Sequence, residues 1–389
     1  MLHNIAFGEL AIGGPTRGHG FGGRQLQILE TIAQNTGLPV TGHAFDRVLA
    51  AIAATADPWE IVDLADQPFN LTVEAVKVLA DEGLVRFEDG RVYLTESGQA
   101  LIRKRGIVPT RLLRCPACGG SGVQLQDLQP AYEIFREIAR DRPKPSDEFD
   151  QGCLTPLSAM RRVALMKQRG DLVGKRVAIL GDDDLMTLAI GLGGQPKEIV
   201  TFEIDDRYVQ FIRHHAERLE IPCRVYSFDL RQRLPEDLFA QFDTFLTDPP
   251  ENYAGLFLFL ERGFGLLKPG DGQAGYFGMT LTESSLTKWA RLQQWLVGEH
   301  RVVLTDLVFE HSEYENWDFL LESIRSDVEP YTHFPRVNWY RSSFYRVETL
   351  EGFEPDNPSF EGTDIYSDEE RLVYSKEVAK RTSNPTERR

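Results

Sequence analysis

Cysteine is scarce in this sequence: four in 389 residues, too few for a disulfide framework. No apolar run reaches the roughly 18 residues that a membrane-crossing helix needs. The opening stretch, MLHNIAFGELAIGG, lacks the basic start and long apolar core of a secretory signal. These absences predict a soluble, cytoplasmic protein without a membrane partner. A basic excess is missing too, since 43 Lys and Arg stand against 59 Asp and Glu, a net charge of −16. A protein that grips a phosphate backbone needs a positive footprint. Nucleic acid is therefore not the expected partner, whereas a cationic ligand suits the acid excess. What is present is globular in composition, 42% hydrophobic and 26% charged, and long enough for two domains plus tails.

Five regions follow along the chain. Residues 1–23 are glycine-rich and read as a flexible arm. Residues 24–105 read as a winged helix. Helical periodicity covers 24–35 and 44–55, and Asp57-Pro58 starts a third helix as cap and first residue. Asn70 is the expected cap of the next helix, which Gly83 ends. LVRF, the turn Glu88-Asp89-Gly90 and RVYL make a hairpin, and Thr95 caps a last helix. The would-be recognition helix, LTVEAVKVLADEG, carries Glu74, Asp81 and Glu82 against Lys77 alone. That charge predicts dimerisation or substrate covering rather than groove binding.

Residues 106–150 form a connector with a helix near 130–140 and the sequence CPACGG. Cys115 and Cys118 are candidate ligands of a structural metal, as half of a zinc knuckle. Cys153 or a second subunit would have to complete it. Residues 151–345 alternate strands (176–180, 198–204, 223–229, 243–250 and AGYFGMT) with helices. This predicts an α/β, Rossmann-like, doubly wound parallel sheet of methyltransferase type, with ligands at the carboxyl ends of its strands. Residues 346–389 form an acidic tail. Its stretch 351–370 holds eight acids and no base, and is expected to be mobile, as a solvated tail or a lid over a polycation.

The strand ends carry the chemistry. The first ends in Gly181-Asp182-Asp183-Asp184. Nucleotide folds usually place glycines here so that backbone N–H groups can approach an anion. Three carboxylates would repel the carboxylate of S-adenosylmethionine and attract an ammonium. The loop thus suggests an adenosyl ligand without a carboxylate, a polyamine, or both. The second strand ends in Glu203-Ile204-Asp205. Glu203 is the expected acceptor for ribose hydroxyls, with Asp205 as a second donor-binding candidate that also caps the next helix. Asp229, after the third strand, is placed to receive an adenine amino group. After the fourth, Asp248-Pro249-Pro250-Glu251 holds Asp248 toward the cleft to orient an amine lone pair. This DPP resembles the box of amino-methyltransferases, but Glu251 replaces the aromatic that stacks on a flat base. Tyr314 and Trp317 are candidate pocket walls facing a cation.

With LGDDDL, TDPPE and the winged-helix front in view, the sequence resembles the branched-chain polyamine synthases, the N(4)-bis(aminopropyl)spermidine synthases. The likeness runs over nearly the whole chain and is strongest at DQGCLTP, LGDDDLMTLA, FDTFLTDPP, GLFLFLERG and KWARLQQWL. It implies an aminopropyltransferase of a family associated with thermophiles. Decarboxylated S-adenosylmethionine would be the co-substrate, with no tightly bound cofactor, spermidine the acceptor, and methylthioadenosine the by-product. It further implies Asp184 nearest the attacking nitrogen, Asp182 and Asp183 holding amines, and Asp248 and Glu251 completing an anionic pocket. Gly181 and Pro249 would contact the donor. A front domain with no other evident use predicts a homodimer. The alternatives are an S-adenosylmethionine-dependent amino-methyltransferase and a polyamine-sensing winged-helix regulator.

Overall fold

The computed structural model describes residues 23–323, 328–366 and 370. The expected flexible arm, apart from Gly23, and most of the chain beyond Tyr366 lie outside the described residues. The chain divides into two compact units, residues 1–112 with 325–334, and residues 113–324 with 335–389.

The first unit contains α1 (Gly23–Thr36), α2 (Gly42–Ala54), α3 (Pro58–Ala65), α4 (Phe69–Asp81), β1 (Val85–Glu88), β2 (Arg91–Leu94) and α5 (Glu96–Arg105). Local chemistry sets most boundaries. Thr41, Asp57 and Thr95 each accept backbone N–H bonds at the start of α2, α3 and α5. Asp89 and Gly90, at φ 51° and 69°, make the left-handed pair that a tight hairpin between β1 and β2 demands. The cap expected at Asn70 is corrected: α4 begins at Phe69 after Pro68, with no side-chain cap. Packing decides that start, because Phe69 stacks on Trp59 with ring centroids 6.0 Å apart.

Helix α4 buries Leu71, Val73, Ala75, Val76, Val78 and Leu79, and even Glu74 is fully enclosed, accepting from Asn35 of α1 at 2.7 Å. Residues 328–334 return to this unit from far along the sequence. Tyr331 meets Trp59 edge-on at 5.7 Å, and the Trp59 indole donates to the His333 carbonyl at 2.9 Å.

The second unit opens with α6 (Gln129–Ala139) and α7 (Pro156–Gln168). The sheet follows: β3 (Arg176–Leu180), α8 (Met186–Gly193), β4 (Glu198–Glu203), α9 (Asp206–Arg218), β5 (Cys223–Ser227), β6 (Thr244–Thr247), α10 (Tyr253–Leu266), β7 (Ala274–Met279), α11 (Leu286–Glu299), β8 (Val302–Glu313) and β9 (Arg341–Thr349). Strand order is β5-β4-β3-β6-β7-β9-β8. Strands β3 to β7 pair in parallel, as expected. The sheet is nevertheless mixed, because β9 enters between β7 and β8 antiparallel to both. β6 and β7 are buried along their whole length, and β3 and β4 at all but their first residue. That explains their unbroken apolar sequences.

From β3 the chain builds outward to β4 and β5, then crosses to β6 and β7 on the other side. The crevice between the ends of β3 and β6 is the topological switch point, where such sheets bind ligands.

The expectation of a mobile tail is corrected for residues 350–366. Phe353, Phe360 and Ile365 are buried on the sheet unit. Phe353 accepts from Gly270 and Phe360 donates to Arg231, each at 2.9 Å, while Asn252 Nδ2 donates to the Ile365 carbonyl. Each buried side chain of this size stabilises by about 2 kcal/mol. Three of them anchor a strand of chain whose acids remain outside.

Candidate active site

A cavity of about 140 Å³ opens at the switch point. Gly181 and Asp183 reach it from β3, Glu203 from β4, and Asp248, Pro249 and Pro250 from β6. Tyr314, Trp317 and Tyr340 line it too, as does Tyr366 from the C-terminal segment. Every lining residue belongs to the second unit.

The three aspartates after β3 have three different surroundings. Gly181, at φ 71°, turns the chain out of the strand. Asp182 points inward and accepts from Met186 N and Thr187 N, the latter at 3.0 Å. It thus satisfies the N-terminus of α8, which Leu185 enters in a left-handed conformation and cannot cap. Asp183 alone faces the cavity, its carboxylate receiving Gly152 N at 3.2 Å. Asp184 turns the other way, accepting Leu154 N at 2.6 Å and lying 3.7 Å from Arg162.

The triplet is thus divided by its surroundings. Asp183, not Asp184, stands at the wall, and Asp182 is a helix cap. The segment 152–154 clasps Asp183 and Asp184 through the backbone N–H groups of Gly152 and Leu154. That gives the DQGCLTP motif a structural task.

Burial, and then Asp184, Glu203 and Asp248, push the Asp183 carboxyl well above the usual carboxylate range. Burial and the nearby Asp248 push Asp184 up to about 7, against the pull of Arg162. A bound cation would relieve both.

Asp248 is fixed by Tyr314 and by a group that sequence reasoning missed, Arg162. Arg162 of α7 is fully buried and donates to Asp248 at 3.1 Å, to Ser312 at 2.9 Å and to Ser342 at 3.1 Å. The Tyr314 hydroxyl also donates to Asp248. A hint lay in the sequence: Arg162 sits on α7 among Ala159, Val163 and Met166, a stripe where a charge needs a partner. Gly278 of β7 is the second omission. A Cβ there would lie 2.0 Å from Asp248 Oδ1, so its absence makes room for the carboxylate.

Glu203 lines the cavity while each of its oxygens takes one backbone N–H, from Asp182 at 2.6 Å and Asp205 at 2.7 Å. Burial raises its pKa despite those bonds. Lone pairs remain for two further donors.

Other expected residues point elsewhere. Asp205 caps α9 and holds Arg207 and Gln151. Burial would raise its pKa, but Arg207 holds it below the ordinary value. Asp229 closes its own turn through Arg231 at 2.7 Å. Neither lines the cavity. Glu251 borders it, but the carboxylate accepts from Thr280 N at 2.7 Å and Ser284 at 2.6 Å. Burial pushes that carboxyl up to about 8. Glu251 therefore ties down the loop after β7 from the edge of the cavity.

The Cys115–Cys118 pair is exposed and half-buried, with Cys153 buried beside Tyr208. Among the described residues, no three His, Cys, Asp or Glu side chains gather as a metal would require. The pair on its own does not make a metal site.

The family model described as the branched-chain polyamine synthase A C-terminal domain matches residues 130–373. The chain is 41% identical over 346 residues to the N(4)-bis(aminopropyl)spermidine synthase of Thermococcus kodakarensis, covering 88% of this chain and 98% of that one. Against the enzyme of the same name from Methanocaldococcus jannaschii it is 40% identical over 348 residues, with the same 88% and 98% coverage. The crystal structure of the Thermus thermophilus branched-chain polyamine synthase, in complex with N4-aminopropylspermidine and 5'-methylthioadenosine, aligns with a TM-score of 0.81. Identity there is 37%, over 90% of this chain and 98% of that one. A shared fold, a carboxylate-walled cavity at its switch point and relatives matched over almost their whole length lead to one conclusion: the chain belongs to the branched-chain polyamine synthase family.

Proposed function

We propose that this protein transfers aminopropyl groups from decarboxylated S-adenosylmethionine to the internal nitrogen of spermidine. The first product is N4-aminopropylspermidine and the second N4-bis(aminopropyl)spermidine, with one methylthioadenosine released per transfer. The observation that carries this reading is Asp183, a carboxylate at the wall where this fold receives the methionine end of an adenosyl ligand. A donor that has lost its carboxylate is tolerated there, and a polycationic acceptor is attracted. The Thermus relative's complex holds the two molecules that such a transfer leaves behind.

In this reading Glu203 takes the ribose hydroxyls on its remaining lone pairs, and Gly181 and Pro249 shape the floor beneath the donor. Asp183 and Asp248 bracket the acceptor nitrogen. Arg162 and Tyr314 hold Asp248 in place, Asp184 lies behind, and Asp182 keeps the loop on α8. Trp317 walls the acceptor. The sulfonium is already a good leaving group, so the protein's work is alignment and supply of an unprotonated amine. Desolvation lowers the ammonium pKa, and Asp183 accepts the proton. The amine lone pair then attacks the carbon beside sulfur. The C–S bond breaks, and its electron pair stays on sulfur as a neutral thioether.

Among the described residues the first unit contributes nothing to the cavity lining, and we assign it to self-association in a homodimer. Its α4 is buried over most of its length, which speaks against a groove-reading role. The test is mass spectrometry of products from spermidine with either the decarboxylated or the intact donor. One and two aminopropyl gains with the decarboxylated donor alone are expected. A methyl gain with the intact donor would replace this reading with a methyltransferase. No product from either would favour the polyamine-sensing regulator.

A further inference from the structure

The cavity lining has two chemically distinct parts. Carboxylates arrive from the strand ends, and aromatic rings arrive from the segments after β8 and before β9. Tyr314 and Tyr340 have ring centroids 5.0 Å apart at 82°, and Trp317 and Tyr340 are 5.7 Å apart at 88°. Phe319 continues the group, 6.3 Å from Trp317 at 50°. All four line the cavity. Rings set nearly perpendicular enclose a corner, the arrangement that surrounds an alkylated ammonium with π faces.

The two transfers need different partners, and this inference rests on the aminopropyl reading above. In the first, a secondary amine attacks and becomes a tertiary ammonium, whose N–H can bond to a carboxylate before the proton leaves. In the second, a tertiary amine attacks. A C–N bond forms, the C–S bond breaks with its pair going to sulfur, and the nitrogen ends with four carbon substituents. The tertiary ammonium must first give up its proton, as in the first transfer, but the bond-forming step releases none and the quaternary centre it makes has no N–H. Asp183 and Asp248 can then act only as distant charges, whereas ring faces attract the quaternary centre directly.

We propose that Trp317, Phe319 and Tyr340 are specificity-determining residues for the second transfer, holding the acceptor nitrogen as it becomes quaternary. Carboxylates govern the first transfer and the aromatic corner governs the second.

The test uses the full-length protein with excess decarboxylated donor. Product formation is followed by mass spectrometry from spermidine and, separately, from N4-aminopropylspermidine. Trp317→Leu should slow the reaction from N4-aminopropylspermidine roughly ten- to thirtyfold more than that from spermidine. Trp317→Phe, which keeps a π face, should recover most of that ratio. If Trp317→Leu does not fold, Phe319→Leu gives the same reading with a smaller ratio. Equal slowing of both transfers would overturn the inference, as would a folded Trp317→Phe no better than the leucine variant. Absence of any transfer by the wild-type protein would overturn the aminopropyl reading itself, and this step with it.

Discussion

The two units treat buried charge in opposite ways. In the first unit Glu74 is enclosed on α4, but it has a neutral amide partner, Asn35, 2.7 Å away. Other acids there lie nearer the surface in ordinary ion pairs, such as Asp46 with Arg105 and Glu82 with Arg24. The sheet unit instead gathers Asp183, Glu203 and Asp248 at one cavity with Asp184 behind, and burial, then mutual repulsion, raises the proton affinity of Asp183 and Asp184. A cluster of like charges taken out of water opposes folding unless a ligand compensates. The contrast separates a unit built for shape from one that holds a site in readiness for a cation.

The sharpest way to break that contrast is Asp183→Asn. It removes the one aspartate of the triplet that reaches the cavity. Turnover should fall by about a hundredfold or more, the usual scale of a lost proton acceptor, with the fold retained by circular dichroism. Asp182→Asn should chiefly lower stability. An active Asp183→Asn would move the acceptor role elsewhere.

Gly278→Ala comes next. The added methyl meets Asp248 at 2.0 Å and must displace it. Misplacement on the order of an ångström costs about a hundredfold in rate, so kcat should drop with little change in donor affinity. Unchanged steady-state kinetics would show that Asp248 is not a positioned group.

A smaller effect concerns pH. Asp184 is pushed up to about 7 in the folded chain, above its ordinary value. The stability that its neutral form contributes is present at low pH and is lost as pH rises through about 7. Asp183 shifts in the same direction. A bound polycation offsets the loss, so spermidine should raise Tm more at pH 8 than at pH 6 in thermal melts. A larger shift at pH 6 would contradict the cluster.

The smallest expected effect lies in the first unit. Glu74→Gln should cost about 1 kcal/mol or less of stability in chemical denaturation and leave turnover unchanged. A loss of activity there would erase the distinction between the units.

Much of this architecture was legible in the sequence. Caps at Asp57 and Thr95, the Asp89-Gly90 turn and the parallel strands follow from local propensity and apolar runs. The acidic triplet was legible as the loop after the first strand of the sheet, where the cavity opens. Which aspartate faces the cavity was not, because that depends on α8 needing a cap that Leu185 cannot supply. Arg162 was hidden for another reason. Its partners Asp248, Tyr314 and Ser342 lie 86, 152 and 180 residues away, and no local pattern reports them. The motif position placed Glu251 at the cleft, but its bonds to Thr280 and Ser284 could not be read from it. The C-terminal segment misled because its acids are numerous, while its three buried anchors, Phe353, Phe360 and Ile365, are sparse.

The central claim is that carboxylates at the strand ends select a donor without a carboxylate of its own. Calorimetric titration of the wild-type and Asp183→Asn proteins with decarboxylated and intact S-adenosylmethionine tests it directly. The account predicts a strong preference for the decarboxylated donor in the wild-type protein, clearly narrowed by Asp183→Asn. Equal affinity for both donors in the wild-type protein, or a preference that Asp183→Asn leaves unchanged, would contradict it.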